Sequence, residues 1–390
     1  MPIEPFDRRT FMRRAGATGL TLSMSGFLAA CGGIEGEGAG NGGAPAAAKA
    51  VSHAKEPLDQ LNVANWPLYI DKKVNKDFVK QFDVGGFKYT EEINDNEEFF
   101  GKVRQQLAQD RNIERDIVVL TDWMAARWVR LGYLEPLDKK NVPNAKNLQP
   151  GLENPPWDKG RKFSLPWQSG MTGIGYDRER VGREIRSFED MFDPEFKGRV
   201  SFFTDGRDAS NFILLKNGIK PADATIDDVL EAIEELDQAN RSGQIRRFTG
   251  NDYTTDLTNG NLWICQAYSG DVIQLKADNP NLEFVIPEEG ATLWSDNMLM
   301  PANAENYYAA ETYMNYVYDP VVAARIAAWV NYVTPVRGAK EELAKSDPEL
   351  AENELIFPSD ETLANLHPFV NLDEEDERRM NEAMQAVVGA

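Results

Sequence analysis

Leu262-Trp-Ile-Cys265-Gln-Ala-Tyr268-Ser269-Gly270-Asp271-Val272, followed after one more strand-like run by Leu293-Trp294-Ser295-Asp296-Asn297, decides how this chain is read. Residues 262–267 form a short continuous apolar run, the signature of a strand buried on both faces. It ends on Tyr268 and Asp271. The run 282–286 and a Gly-containing turn then lead to Trp294 and Asp296. An aromatic ring beside a carboxylate suits a small organic cation. The ring face contributes ~0.5–2 kcal/mol of attraction, and the carboxylate offers a hydrogen bond about twice as strong as a neutral one. Structural roles compete with this reading: Asp271 could cap a helix over 272–277, and Trp294 could be core.

Outward from that stretch, apolar runs alternate with amphipathic segments. Strands are expected at 61–65, 87–93, 117–120 and 200–203. Helices are expected at 72–82, after a cap at Asp95 or Asn96, and at 123–131 before Gly132. Thr225-Ile-Asp-Asp228 resembles a capping box opening a further helix. The alternation predicts βαβ units and a mainly parallel α/β sheet. Residues 163–176 read only as Gly-rich and apolar. After Pro301 the chain turns helical, at 307–318, 321–330, 339–346 and 373–388.

The aromatic and acidic residues collect where open α/β sheets bind ligands, at the carboxyl ends of strands. Asn65, Trp66 and Tyr69 follow the first strand; Thr121, Asp122 and Trp123 follow the third; Asp205 and Asp208 follow 200–203; Tyr268 and Asp271 follow 262–267. With Trp294 and Asp296 they make a constellation. Helix N-termini favour anions, so a cation can bind there only where carboxylates overcompensate.

The 390 residues suffice for two domains with cores, and 42% hydrophobic with 27% charged residues is a globular composition. The formal charge is −21, and the acidity lies beyond the first thirty residues, since within them Arg8, Arg9, Arg13 and Arg14 outnumber Glu4 and Asp7. Such acidity repels phosphate backbones, and no basic patch interleaved with aromatics suggests nucleic acid. Residues 1–31 read as a targeting segment. Asp7-Arg8-Arg9-Thr10-Phe11-Met12-Arg13 resembles the twin-arginine export motif, and Leu28-Ala29-Ala30-Cys31 resembles a bacterial lipobox with lipid on Cys31. A Gly/Ala-rich tether is expected over 32–57. Cys265 is then the last thiol, expected as a small buried hydrophobe.

At these residues the chain resembles the spermidine/putrescine-binding subunits of bacterial uptake transporters over most of 58–370. The blocks are Trp294-Ser-Asp296-Asn-Met-Leu-Met-Pro301-Ala-Asn-Ala304, Phe188-Glu-Asp190-Met-Phe-Asp-Pro194-Glu-Phe-Lys197-Gly198-Arg199, Asn65-Trp66-Pro-Leu-Tyr69 and Gly270-Asp271-Val272. The resemblance implies a two-lobed periplasmic-binding-protein fold, type II-like, with a ligand cleft between lobes joined by crossing strands. The lobes would be 58–169 plus 297–336, and 170–296 plus 337–390. It implies Trp66 and Tyr69 as an aromatic wall, Thr121 as a hydroxyl, Asp271, Trp294 and Asp296 around amines, and Tyr332 on the hinge side. Tyr268 stands where a tryptophan is usual and Trp123 near a usual tyrosine. Asp205 and Asp208 both fit the middle acidic position in different registers, and Phe369 lies about where some members carry a glutamine.

The resemblance implies a polyamine ligand, ABC permease subunits as partners, a lipid-anchored monomer, no cofactor and no enzymatic activity. Three other readings stand beside it. A carboxylate hydrolase could use Asp271 and Asp296. Related lipoproteins bind ferric iron through neighbouring tyrosines, and Tyr307-Tyr308 suggests that. A purely adhesive lipoprotein would bind no solute.

Overall fold

The computed structural model describes residues 51–93, 96–370 and 372–389. Cys31, the twin-arginine stretch, residues 32–50 of the expected tether and the alternative cap Asp95 lie outside the described residues.

The first half alternates as the apolar periodicity requires. Strand β1 (Gln60–Asn65) leads to helix α1 (Lys72–Phe82), capped by Asp71. Strand β2 (Gly86–Glu91), helix α2 (Asn96–Leu107), strand β3 (Ile117–Thr121) and helix α3 (Asp122–Leu131) follow. Gly132 closes α3 at φ 73°, a left-handed cap that glycine adopts without strain. The second series runs β4 (Ser164–Asp177), β5 (Val200–Phe203), α4 (Gly206–Lys216), α5 (Ile226–Arg241), β6 (Ile245–Thr249), β7 (Ile264–Tyr268), α6 (Ser269–Leu275), β8 (Leu282–Val285) and β9 (Ala291–Leu299). The capping box at Thr225 and Asp228 forms as expected. The main C-terminal helices are α7 (Tyr307–Val317), α8 (Pro320–Val330) and α9 (Glu374–Val388).

One sheet carries both halves, in the order β2-β1-β3-β9-β4-β7-β5-β6. Its flanks are parallel: β1 pairs with β2 and β3, and β5 with β6 and β7. Its centre is not. β9 runs antiparallel to β3 and β4, and β4 antiparallel to β7 and β8. The expected mainly parallel sheet therefore fails at the middle, for a topological reason. β4 carries the chain out of one half and β9 brings it back, so they oppose each other and each flank.

Both faces of the sheet are covered, which is why the inner strands β3 and β5 are buried along their whole length, whereas the outer β2 and β6 carry Lys88, Arg246 and Arg247. Leu61, Val63, Ile117 and Val119 join one core cluster, while Ala64, Val118 and Leu120 join a cluster on the other face. In the second half, Val200 and Phe202 face one cluster, and Phe203, Cys265 and Ala267 another. Cys265 is buried, its thiol pushed up by burial, as expected for a small hydrophobe.

Two expected boundaries move. The tether does not extend to residue 57, because His53 is fixed to the first half. Its Nδ1 lies 2.7 Å from Oε1 of the buried Glu311, and its ring stacks on Tyr307 at 4.8 Å. The segment after Arg337, expected to begin the second lobe's share, first adds to the other core. Ala339, Leu343 and Ala351 pack in the cluster of α7 and α8. Only from Val370 onward, with Met380, Met384 and Val387 of α9, does the chain join the cluster of α4 and α5.

Candidate functional site

The loop after β1 is bent to serve the centre of the molecule. Leu68 takes φ 56°, a left-handed conformation uncommon outside glycine, asparagine and aspartate. Immediately after it, Tyr69 is buried, and its hydroxyl donates to Asp296 Oδ2 at 3.0 Å. From β3, Thr121 Oγ1 donates to the other oxygen, Oδ1, at 2.8 Å. The pairing of Thr121 with Asp296 across β3 and β9 sets this contact. Asn96 fixes the threonine in turn, through its Nδ2 at 3.0 Å and its Oδ1 on the Thr121 amide at 3.2 Å. Burial pushes the Asp296 carboxyl up to about 7, the two hydroxyls pull it back, and the neighbouring Asp122 charge adds to the rise.

A second carboxylate sits on the other side. Asp271 is not an N-cap but lies in the first turn of α6. Tyr253 donates to its Oδ2 at 3.1 Å and Tyr332 to its Oδ1 at 3.2 Å. Tyr332 arrives there because Asn331 ends α8 in a left-handed cap at φ 59°. Gly270 is required by the same approach: a Cβ there would fall 2.7 Å from Tyr332 Cζ.

The third is Asp208. The two middle acids separate cleanly. Asp205 is the N-cap of α4, accepting from the amides of Arg207 at 2.8 Å and Asp208 at 3.1 Å. Asp208 is buried; Tyr268 reaches its Oδ2 at a long 3.4 Å, and its Oδ1 has no hydrogen-bond partner among the described residues. Burial, then the Asp205 charge, holds its carboxyl well above the usual range. An orphaned buried carboxylate oxygen is costly unless a donor meets it.

Rings connect the three acids. Tyr69 meets Tyr332 edge-on at 5.5 Å, Tyr332 meets Trp294 at 5.4 Å, and Trp294 meets Tyr268 edge-on at 5.7 Å. Gly170 of β4 admits Trp294, since a Cβ there would lie 2.2 Å from the indole Cζ2. Of the residues expected from sequence, Tyr69, Thr121, Asp208, Tyr268, Asp271, Trp294, Asp296 and Tyr332 are brought into this one assembly. Trp66 stands partly buried on its β1 side, its Nε1 donating to the Val119 carbonyl at 3.0 Å. Trp123 is turned elsewhere: the guanidinium carbons of Arg207 and Arg127 lie 4.9 and 5.3 Å from its ring centre. Tyr253 and Asn96 were missed, and nothing in their local sequence marks them. On α7, Tyr313 donates to Asn75 and Tyr316 to the Val74 carbonyl, both buried bonds that hold these tyrosines in the core.

Three acids, each met by tyrosine or threonine hydroxyls and joined by a continuous aromatic wall, can neutralise an elongated molecule bearing several positive charges. Asp122, Asp208 and Asp271 occupy the first turns of α3, α4 and α6, where an ionised carboxylate opposes the positive field of a helix N-terminus. The sequence profile of the bacterial extracellular solute-binding proteins matches residues 73–357. The chain belongs to that family. Within its reach, the chain is 28% identical to spermidine/putrescine-binding periplasmic protein 1 of Haemophilus influenzae, over 82% of this chain and 86% of the other. It is 28% identical to the putrescine-binding periplasmic protein SpuD of Pseudomonas aeruginosa, over 95% and 97%. A solved structure described as a putative spermidine/putrescine ABC transporter from Listeria monocytogenes superposes with a TM-score of 0.74 at 26% identity, covering 84% of this chain and 98% of that one. The family's two-lobed periplasmic-binding fold is thus the fold of this chain. No helix among the described residues is long and apolar enough to cross a membrane.

Proposed function

We propose that this chain is the extracytoplasmic binding subunit of an ABC transporter and captures a polyamine, spermidine or putrescine, between its lobes without chemically altering it. The observation that carries this reading is the orphaned Asp208 oxygen at one end of an aromatic wall whose other members hold Asp271 and Asp296. Ammonium groups would meet the acids while the rings cover the methylene chain and shed its water. Asp208, not the helix-capping Asp205, supplies the third acid, which favours a triamine over a diamine. The wall draws on both halves of the sheet, so it is complete only when the lobes meet, and solute biases the population toward closure. We place the last crossing between lobes after Ala351 and before Val370.

A thermal-shift screen of putrescine, cadaverine, spermidine, spermine, choline and basic amino acids tests this, with ligand mass followed for turnover. A true ligand at 100 times its Kd stabilises by about 2.7 kcal/mol. Asp208→Asn should shift preference from spermidine toward putrescine, whereas Asp205→Asn should leave preference unchanged. No response to any polyamine, or consumption of one, defeats the proposal.

The export route belongs to the same proposal. The motif at Arg8 and Arg9 and the lipobox ending in Cys31 agree on a protein exported and then held by lipid on the outer face of the cytoplasmic membrane. Cys31→Ser should leave the precursor unprocessed or release the protein to the soluble fraction on membrane sedimentation. A variant still cleaved and still membrane-bound refutes the anchor.

A further inference from the structure

Away from the acids and rings described above, one charged cluster ties the two halves together. Arg127, on α3 of the first half, donates through Nη1 and Nη2 to both oxygens of Glu97, at 2.8 Å each. The same guanidinium reaches Glu377 Oε1 on α9, a helix whose Met380 and Met384 lie in the core of the second half. Arg207, on α4 of the second half, donates to that same oxygen at 2.7 Å. Arg207 and Glu377 are buried. Both guanidiniums also lie against the indole of Trp123, from the first half, at 5.3 Å for Arg127 and 4.9 Å for Arg207.

We propose that Trp123, Arg127, Arg207 and Glu377 form a latch that holds the lobes shut and sets how long the captured solute stays. Two contacts cross the gap, the Arg127–Glu377 ion pair and the stacking of Arg207 on Trp123. Each partner keeps a mate when the lobes part: Arg127 retains Glu97, and Arg207 retains Glu377. Opening therefore strands no buried charge, and stranding one is what makes an ordinary buried pair so hard to break. The device is strong enough to bias closure and weak enough to release. It is also wired to the site. Arg207 lies between Asp205 and Asp208 in the first turn of α4, and Trp123 lies two residues beyond Thr121. Swinging the lobes apart moves latch and acids together. Trp123 thereby acts on the chain's own cations rather than on the solute.

The latch rests on the solute-capture reading for its kinetic readout only. Arg127→Met keeps the aliphatic stem and removes the cross-gap charge, and Glu377→Gln removes the shared acceptor. Stopped-flow dissociation of spermidine should quicken on the order of tenfold in either variant, with association changed less than twofold, since losing one partner of a buried charge pair acts mostly on the off-rate. The double variant should be little faster than Glu377→Gln alone, because both remove the same bridge. Small-angle scattering of the unliganded chain should show a larger radius of gyration in each variant than in the wild type. That measurement needs no ligand, so it decides the latch even if no polyamine binds. If Glu377→Gln fails to fold, Arg127→Met carries the test by itself, as Glu377 then keeps Arg207. Unchanged scattering in a folded variant, or an unchanged dissociation rate, overturns the latch.

Discussion

Asp296→Ala should weaken polyamine binding by ~3–5 kcal/mol, the range for breaking a buried ion pair, or roughly a thousandfold in Kd. The loss comes from the ammonium that then enters the closed cleft unpaired. Trimming a ring costs less: Trp294→Phe should cost ~0.5–2 kcal/mol, since a phenyl face still attracts a cation. Calorimetry of both variants checks the order. The empty protein should respond differently. Asp296 is buried and its carboxyl is pushed up to about 7, so removing it relieves a desolvation cost that offsets the acceptor lost to Tyr69 and Thr121, and Asp296→Ala should leave the melting temperature little changed. Binding lost with stability kept marks a functional residue. Binding within tenfold of wild type would place the amine site elsewhere.

The same carboxyl gives the empty protein a pH dependence. An aspartate titrates near ~3.9 in the unfolded chain and about 7 here, so the folded state holds its proton longer. The stability this contributes is full below the ordinary carboxylate range and is lost as pH rises toward and through 7. It is worth ~1.4 kcal/mol per unit of difference, a few kcal/mol at most. Asp208, raised by burial, and Asp122, pushed up to about 6 by burial, act in the same direction. Melting temperatures of the unliganded chain should therefore fall between pH 5 and pH 8, and Asp296→Asn should flatten part of that slope. A bound polyamine reverses the trend, because its ammonium groups are met best by ionised acids. The stabilisation it gives should grow over the same interval. A ligand shift independent of pH would mean the amines do not meet these carboxylates.

Much of this was legible before any coordinates. Short strands rich in apolar residues, ending in Asn65, Thr121 and Tyr268, stand out between amphipathic segments, and the acids and rings just beyond them could be named individually. What escaped was long-range. β4 was unreadable as a strand because Gly170, Gly173 and Gly175 lower its strand propensity. Those glycines exist for neighbours that the local sequence does not contain: Trp294, Phe284 and Ala267 crowd the positions their Cβ atoms would take. Without β4 as a strand, the antiparallel centre could not be seen. Asp205 and Asp208 were inseparable in sequence because either can cap a helix; only the amide bonds to Asp205 and the bare oxygen of Asp208 part them. The surroundings of Trp123 were hidden for a related reason. Its position after β3 points at the solute, but the cations over its ring come from residue 207, far along the chain, and from its own helix.

The order of strands across the sheet also fixes when the protein can finish folding. The first core takes Leu61 and Val63 from the beginning of the described chain, Met298 from β9, and Tyr313, Val330 and Leu343 from far beyond. A ribosome must therefore make almost the entire polypeptide before that core can close, and an emerging N-terminal half lacks β9, the strand that covers the open edge of β3. Contacts so distant in sequence form slowly. A secretion channel that threads unfolded chains would have to keep an exposed edge unpaired for the whole passage, on the aggregation-prone side of the membrane. A pathway that accepts only finished molecules would let the last segment dock before the journey starts.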